Sequence, residues 1–263
     1  MKTIKGKTIW LTGASSGIGE ALAYELAREG ARLVLSARTE QRLEQVGSQC
    51  RQLGAECLIY PMDISKTEQL KQAVPAVIRR VGKIDILINN AGRSQRSYAR
   101  ETPLVNDRQL MEINFFGVVA LSKLLIPHML HNRSGHLVVV SSITGKFGAP
   151  MRTGYAASKH ALQGYFEALR AELYPALPVT IVSPGRIRTN ISLHALTKDG
   201  EAYNKMDAGQ AKGMPADRCA RKIIRAIKKE RKEILIGRRE LLMVYIRRFI
   251  PALYYLMIPK IKN

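Results

Sequence analysis

Seven short apolar runs recur along the chain with amphipathic stretches between them: TIWLT (8–12), RLVLSA (32–37), ECLIYPMD (56–63), IDILINN (84–90), HLVVVSS (136–142), VTIVSPG (179–185) and EILIG (233–237). Each run is nearly continuous in apolarity rather than alternating, as a strand covered on both faces requires. Between the runs, apolar positions return every three or four residues, as in Ile18, Leu22 and Leu26 or Ala161, Leu162, Phe166 and Leu169, which gives each helix one buried face. Strand and helix in alternation predict parallel strands joined by right-handed crossovers, hence an α/β doubly wound sheet of seven strands. No linker, repeat or low-complexity segment divides the 263 residues, so one domain is expected, with 1–237 as its body and 238–263 as a basic, apolar extension. The longest stretch without a pattern, 186–214, has the length of a lid or a disordered segment.

The chemistry sits at the ends of these runs. After the first comes TGASSGIG (12–19), with Gly13, Gly17 and Gly19 in a turn that opens into a helix. Glycine lets the backbone approach a pyrophosphate, and the helix N-terminus, reached through Ser15, Ser16 and Ile18, supplies free N–H groups and a positive dipole end. A dinucleotide site is the expectation. The second run ends Leu35, Ser36, Ala37, Arg38, with no acid to hold ribose hydroxyls. Arg38 offers a guanidinium fork to a 2′-phosphate, so NADP(H) is expected in preference to NAD(H).

YAASK (155–159) places Tyr155 and Lys159 at i and i+4, on one helix face. A phenol with a pKa of about 10 is too weak a base at neutral pH, and a neighbouring ammonium brings that value toward the working range. Upstream, Ser142 stands at the carboxyl end of the fifth run, where an open α/β sheet binds its ligand, although Ser141 beside it competes for the same role. No G-x-S-x-G elbow surrounds these serines, and His128, His131, His136, His160 and His194 show no metal spacing, so hydrolysis and metal catalysis are not expected.

Together these segments resemble the short-chain dehydrogenase/reductase family, whose motifs occur here in order as TGASSGIG, Asp63, NNAG (89–92), the serine with Tyr-x-x-x-Lys, and PGRIRT (184–189), over residues 5 to 237. The resemblance implies a single-domain Rossmann-type sheet, with strand order 3-2-1-4-5-6-7 expected. It implies that Asp63, with Ile64 beside it, meets the adenine, and that Asn90, Ala91 and Gly92 pack beside the cofactor. It also implies that Pro184, Gly185, Ile187 and Thr189 lie along the nicotinamide. Asn114 would join Ser142, Tyr155 and Lys159 as a catalytic tetrad, holding a water that links the lysine to a proton relay. Hydride would pass between NADP(H) and an alcohol or carbonyl substrate, with Tyr155 as general acid/base, Ser142 on the developing oxyanion, and Lys159 both lowering the tyrosine pKa and bonding the ribose. The alternative is an NADP-binding regulator on this fold without catalysis. Leu193, Leu196, Tyr203 and Met206 suggest an apolar cover and hence a hydrophobic substrate.

Charge changes the picture of partners. Lys and Arg number 42 against 21 Asp and Glu, a net +21 with a pI near 10.2. Residues 218–263 hold 14 basic and 3 acidic side chains, or +11, so about half the excess lies there. Such an excess implies an anionic partner. RCARKIIRAIKK (218–229) is a basic amphipathic helix, and the apolar, aromatic stretch after residue 237 is interrupted by Arg247, Arg248 and Pro251. Three readings stand: a segment docked on the protein or a partner subunit, a contact with an anionic membrane surface, or nucleic-acid binding, which has no recognisable module behind it. A homodimer or homotetramer is the expected assembly. With no apolar stretch before the first strand, no signal or N-terminal span is expected, and the cytoplasm is the expected location, with peripheral membrane contact as a variant. Cys50, Cys57 and Cys219 read as small apolar residues.

Overall fold

The computed structural model describes residues 3–260. Strands β1 (Thr8–Thr12), β2 (Arg32–Ser36), β3 (Cys57–Ile59), β4 (Ile86–Asn89), β5 (Leu137–Val140), β6 (Val179–Pro184) and β7 (Glu233–Ile236) form one sheet in the order 3-2-1-4-5-6-7. Every pair is parallel. The chain winds outward from β1 to β3, then returns to β4 and winds the other way. The crevice at the carboxyl ends of β1 and β4 is therefore the place for a ligand.

Neighbouring residues on one strand face opposite cores, which is why the runs are apolar throughout. Ile9 and Leu11 pack on one side with Leu33, Leu35, Ile86 and Ile88, under helices α1 (Gly17–Arg28) and α2 (Glu40–Gln52). Trp10 and Val34 face the other side with Leu87, Val139 and Ile181, under α3 (Thr67–Val81) and the helices that follow. The third strand is shorter than its apolar run. Regular pairing stops at Ile59, although Tyr60 and Met62 still donate to the carbonyls of Leu35 and Ala37; Pro61 between them falls on the outer edge of the sheet, where no neighbour needs its N–H. Cys50 and Cys57, expected as plain apolar residues, have free thiols close enough to perturb each other: the Cys57 thiol, then burial, pushes the Cys50 thiol up.

Helix α4 (Leu104–Met111) runs through one π-helical turn, Glu112–Phe116, into α5 (Gly117–His131). The combined 28 residues are long and apolar enough to cross a membrane by length and composition. Val118, Leu121, Leu125 and Met129 lie fully buried on the sheet, so this apolarity serves the core. Helix α6 (Thr153–Glu172) carries the YAASK segment on the same face of the sheet.

The 186–214 segment is ordered rather than free. Ile187–Arg188 pairs in parallel with Met214–Pro215, Leu196 bridges to Gln95 and Ala202, and a short helix α7 (Ala208–Ala211) closes it. Helix α8 (Ala216–Lys228) is the basic amphipathic helix, and it docks on the protein itself. Cys219, Ile223 and Ile227 enter the core beside α1, while Arg221 and Lys228 pair with Glu25 of α1 and with Glu29 at its C-cap, at 3.2 and 2.5 Å. After β7, helices α9 (Leu242–Phe249) and α10 (Pro251–Met257) pack through Met243 and Tyr254 onto Ile143 and Phe147, the loop that follows β5. The Tyr254 hydroxyl donates to the Gly148 carbonyl at 2.7 Å.

One buried group makes folding pH-dependent. His136 is fully buried, and because Thr180 Oγ1 already donates to Arg231 O, the imidazole Nε2–H must donate to Thr180 Oγ1, at 2.8 Å. Desolvation pushes its pKa down from 6.5 to about 4. The unfolded chain takes up this proton near 6.5 and the folded one resists it until about 4. Stability is therefore complete above the first value and drains as pH falls through that window, by about 3 kcal/mol at most. His136→Gln should flatten the fall in Tm between those pH values; an unchanged slope contradicts the assignment.

Candidate active site

The turn after β1 is built by contact. Gly13 has φ +65°, and a Cβ there would stand 2.8 Å from the Ala91 Cα, so only glycine lets the β1 and β4 loops meet. Thr12 Oγ1 accepts from the backbone N–H groups of Asn90 and Ala91, both at 3.1 Å, and Asn90 Nδ2 donates to the carbonyls of Thr12 and Gly13 at the same distance. NNAG is thus strapped onto the glycine turn. From the other side, the Thr189 side chain lies 3.1 Å from where a Gly17 Cβ would be, so the loop after β6 reaches across the turn. Gln210 of α7 holds that loop through the Ile187 carbonyl and Thr189 Oγ1.

These loops enclose a cavity of about 650 Å³ at the switch point, a size in the usual range for ligand sites. Every cofactor residue expected from the sequence lies on its wall except Gly19. Gly19 sits behind the turn, pressed against the Gly13 carbonyl and Asn90 Nδ2, and shapes the loop without facing the cavity. At one end of the cavity stand Arg38, just before α2, and Arg42 in its first turn. Arg42 was readable at i+4 from Arg38 but escaped the sequence reading. At the other end stand Ser142, Tyr155 and Lys159.

Ser142 Oγ accepts from Thr144 Oγ1 at 2.9 Å and from Thr144 N at 3.2 Å, and both hydroxyls stand near enough to the Tyr155 phenol to draw its pKa down. The neighbouring serine is turned away: Ser141 Oγ donates to the Lys159 carbonyl and accepts from Gln163 Nε2. Lys159 Nζ donates to Val140 O at 2.9 Å and lies 5.9 Å from the centre of the Tyr155 ring. Burial pulls its pKa down to about 8. Burial also pushes the Tyr155 phenol up, against the Ser142 hydroxyl and then the guanidinia of Arg152 and Arg96, which draw it down. The sequence pattern pointed to the lysine as the charge acting on the phenol, and these two arginines were missed. Arg152 immediately precedes the helix of Tyr155, which a reading of helix caps would have noticed. Arg96 pairs with Asp207, 111 positions away, and no local pattern announces that.

Asn114 stands apart from the cavity wall. It is fully buried in the π turn; its Oδ1 accepts from Arg93 N at 2.8 Å, while Nδ2 donates to Arg93 O and Ser158 Oγ, both at 2.9 Å. Its side chain therefore clamps the backbone just after NNAG. The four residues expected to form an apolar cover, Leu193, Leu196, Tyr203 and Met206, do not line the cavity; Ile191, His194 and Ala202 come from that segment instead. The segment's face on the cavity is mixed, with Thr189, Asn190 and Gln210 beside the apolar Ile187 and Ile191, while Leu196 is spent bridging two backbones.

Comparison with known proteins agrees with this geometry. The family model described as short chain dehydrogenase matches residues 7–199. A "Dehydrogenase/reductase SDR family member 7B" of Xenopus tropicalis is 41% identical over 261 residues, covering 96% of this chain and 84% of the relative. Among solved structures, a short chain dehydrogenase/reductase from Burkholderia phymatum in complex with NAD superposes with a TM-score of 0.86 at 26% identity, over 96% of both chains. An alcohol dehydrogenase from the archaeon Thermococcus sibiricus complexed with 5-hydroxy-NADP gives 0.77 at 26% identity, over 89% of this chain and 97% of the other.

Proposed function

Since the chain belongs to the short-chain dehydrogenase family, we propose that it is an NADP(H)-dependent oxidoreductase interconverting an alcohol and a carbonyl compound, with Tyr155 as general acid/base. The observation that carries this reading is the convergence of Ser142, Tyr155 and Lys159 on the wall of the one cavity that the glycine turn also lines. The residues present fit a dinucleotide. The cradle between Gly13, Gly17 and Ala91 has no room for side chains, and Ser16, at the N-cap of α1, makes no side-chain capping bond, which leaves first-turn N–H groups for a pyrophosphate. When bound, the nicotinamide supplies or accepts the hydride.

The protein's own residues handle the oxygen and its proton. Ser142 and Tyr155 hold the substrate oxygen between their hydroxyls, and in reduction the phenol gives its proton to the oxygen as charge develops there. Burial keeps Tyr155 protonated at neutral pH in the free protein, so it stands ready as an acid. Lys159, already extended to Val140 O, offers its remaining donors toward the ribose. The test is oxidation of NADPH by a panel of aldehydes, ketones and quinones, beside oxidation of secondary alcohols with NADP⁺. Turnover of some member is expected; NADPH binding without turnover of any compound favours the inactive regulator.

The preference for NADP(H) rests on Arg38 and Arg42 on the wall beyond β2. Charge-assisted bonds to a phosphate are worth about 1.5–3 kcal/mol. Arg38→Ala should therefore raise the KM for NADPH about tenfold to a hundredfold and change that for NADH little. Equal effects on the two cofactors contradict the assignment.

We also propose that α9 and α10 rest on an anionic membrane surface. Phe249 and Leu256 are 74% and 69% exposed, with Leu242, Tyr245, Ile250 and Tyr255 also open, beside Arg247 and Arg248. Eight- and seven-residue helices cannot span a bilayer but can lie in its interface, apolar side down, with arginines at the headgroups. Phe249→Ser with Leu256→Ser should lower sedimentation with phosphatidylserine vesicles at least about tenfold. Truncation is a poorer test, since Met243 and Tyr254 cover Phe147.

A further inference from the structure

Arg93, directly after NNAG, is a cation on the cavity wall that neither proton transfer nor hydride transfer uses. Its backbone is clamped at both polar groups: Asn114 Oδ1 accepts from Arg93 N at 2.8 Å, and Asn114 Nδ2 donates to Arg93 O at 2.9 Å. Its side chain reaches the 186–214 lid, where Nε donates to His194 O at 3.0 Å. That bond stands first in a short ladder between the β4 loop and the lid. Leu196 N donates to Ser94 O, and Arg96 N to Leu196 O, both at 2.8 Å. The guanidinium is thus positioned before any ligand arrives, which spares much of the entropy that a free arginine loses on gripping an anion.

The charges around it do not answer its own. Asp63 is the one carboxylate among the described residues that line the cavity, and its Oδ1 accepts from the backbone N–H and hydroxyl of Ser65. Of the other cations on that wall, Arg96 pairs with Asp207, Arg152 lies 3.6 Å from the same carboxylate, and Lys159 donates to Val140 O. Arg38 and Arg42 stand beyond β2. Burial, and then the guanidinium of Arg38, holds the pKa of Arg93 below its usual value. Two guanidinia that repel each other on the wall of one cavity are stabilised by an anion that meets both. The pyrophosphate has the glycine turn and the N-terminus of α1, whereas the 2′-phosphate falls to Arg38 and its neighbours. Arg38 and Arg42 are exposed, while Arg93 is half-buried, so a phosphate bond to Arg93 is the less screened by solvent.

We propose that Arg93 binds the 2′-phosphate of the cofactor together with Arg38 and Arg42, and that its bond to His194 O makes closure of the lid depend on that phosphate. This rests on the NADP(H) reading and deepens it. The Nη groups face the phosphate while Nε stays on the lid, so one planar fork joins the two. NADP(H) then does more than bind better than NAD(H): it fixes the segment that supplies Ile191, His194 and Ala202 to the cavity wall.

The test is calorimetric titration of NADPH and NADH into the wild-type protein, Arg93→Gln and Arg93→Lys. The wild type should bind NADPH at least about tenfold more tightly than NADH. Arg93→Gln should weaken NADPH binding about tenfold to a hundredfold and shift NADH binding less than about threefold. Arg93→Lys, which keeps the charge without the fork, should recover part of the loss. Hydrogen exchange at the Leu196 amide reads the lid. Adenosine 2′,5′-bisphosphate should slow it more than adenosine 5′-monophosphate does in the wild type, and Arg93→Gln should erase that difference. An equal loss for NADPH and NADH in Arg93→Gln, or no loss of either, overturns the phosphate contact and leaves Arg93 as a strut of the lid. Equal slowing of exchange by the two adenosine nucleotides in the wild type overturns the coupling to the lid. A wild type that binds NADH as tightly as NADPH counts against the NADP(H) reading itself, whereas selectivity that survives Arg93→Gln intact overturns this proposal alone.

Discussion

Tyr155→Phe should lower kcat about 10³-fold, within the range that positioned acid–base groups contribute, while the Kd for NADPH changes less than about threefold. The ring stays: Tyr155 is almost wholly buried, and phenylalanine fills the same space beside Lys159. Ser142 keeps its bonds from Thr144 and the direction of its own toward Pro184 O, so the oxygen-binding side survives. What is lost is the hydroxyl assigned to give the substrate oxygen its proton or to take it away. Stopped-flow turnover with NADPH fluorescence titration separates the two effects. Undiminished turnover means that Tyr155 is not the acid/base; a matching loss of NADPH affinity means that its phenol serves cofactor binding.

Gly19→Ala should have the second largest effect. The added methyl would penetrate the Gly13 carbonyl oxygen and come within 2.6 Å of Asn90 Nδ2, the atom that straps NNAG to the glycine turn. Both partners are fixed by other bonds, so relief requires the turn itself to move. Overpacking of this kind costs on the order of 3 kcal/mol. The expected outcome is a lower Tm together with at least about a hundredfold weaker NADPH binding, although Gly19 itself touches no ligand. Normal binding in a folded Gly19→Ala protein would show that the turn does not need its present shape.

The sheet was readable from sequence because its strands are buried on both sides: Trp10 faces one core while Ile9 and Leu11 face the other, so no polar position interrupts the run. The glycine turn and the Tyr155–Lys159 helix were readable because each is local, with spacing and geometry coupled through one turn of backbone. What depends on distant segments was not. The Arg96–Asp207 pair joins β4's loop to the lid across 111 positions, and neither residue stands out in its own neighbourhood. Asn114 was legible as a motif residue, but the engagement of its amide with the Arg93 backbone follows from the π turn, which leaves no periodic signature. The lid leucines misled because an apolar residue in a loop is equally suited to lining a pocket and to pinning the loop down, and Leu196 does the second.

The charge excess divides in the same way. The sequence located half of it in the last 46 residues but could not apportion it. Helix α8 spends its charges in solvent and on Glu25 and Glu29, with its apolar face closed against α1. Helices α9 and α10 do the reverse and leave Phe249 and Leu256 open. An amphipathic pattern says that a helix has two faces, and only the fold says which one the protein covers.

The most direct test of the oxidoreductase account is the fate of the nicotinamide hydrogen. NADPH deuterated at C4 on both faces, incubated with the protein and any carbonyl compound that the panel shows to be consumed, should yield an alcohol with one deuterium on its carbinol carbon, read by mass spectrometry. Oxidation of NADPH that leaves the alcohol unlabelled, or no alcohol at all, would contradict it.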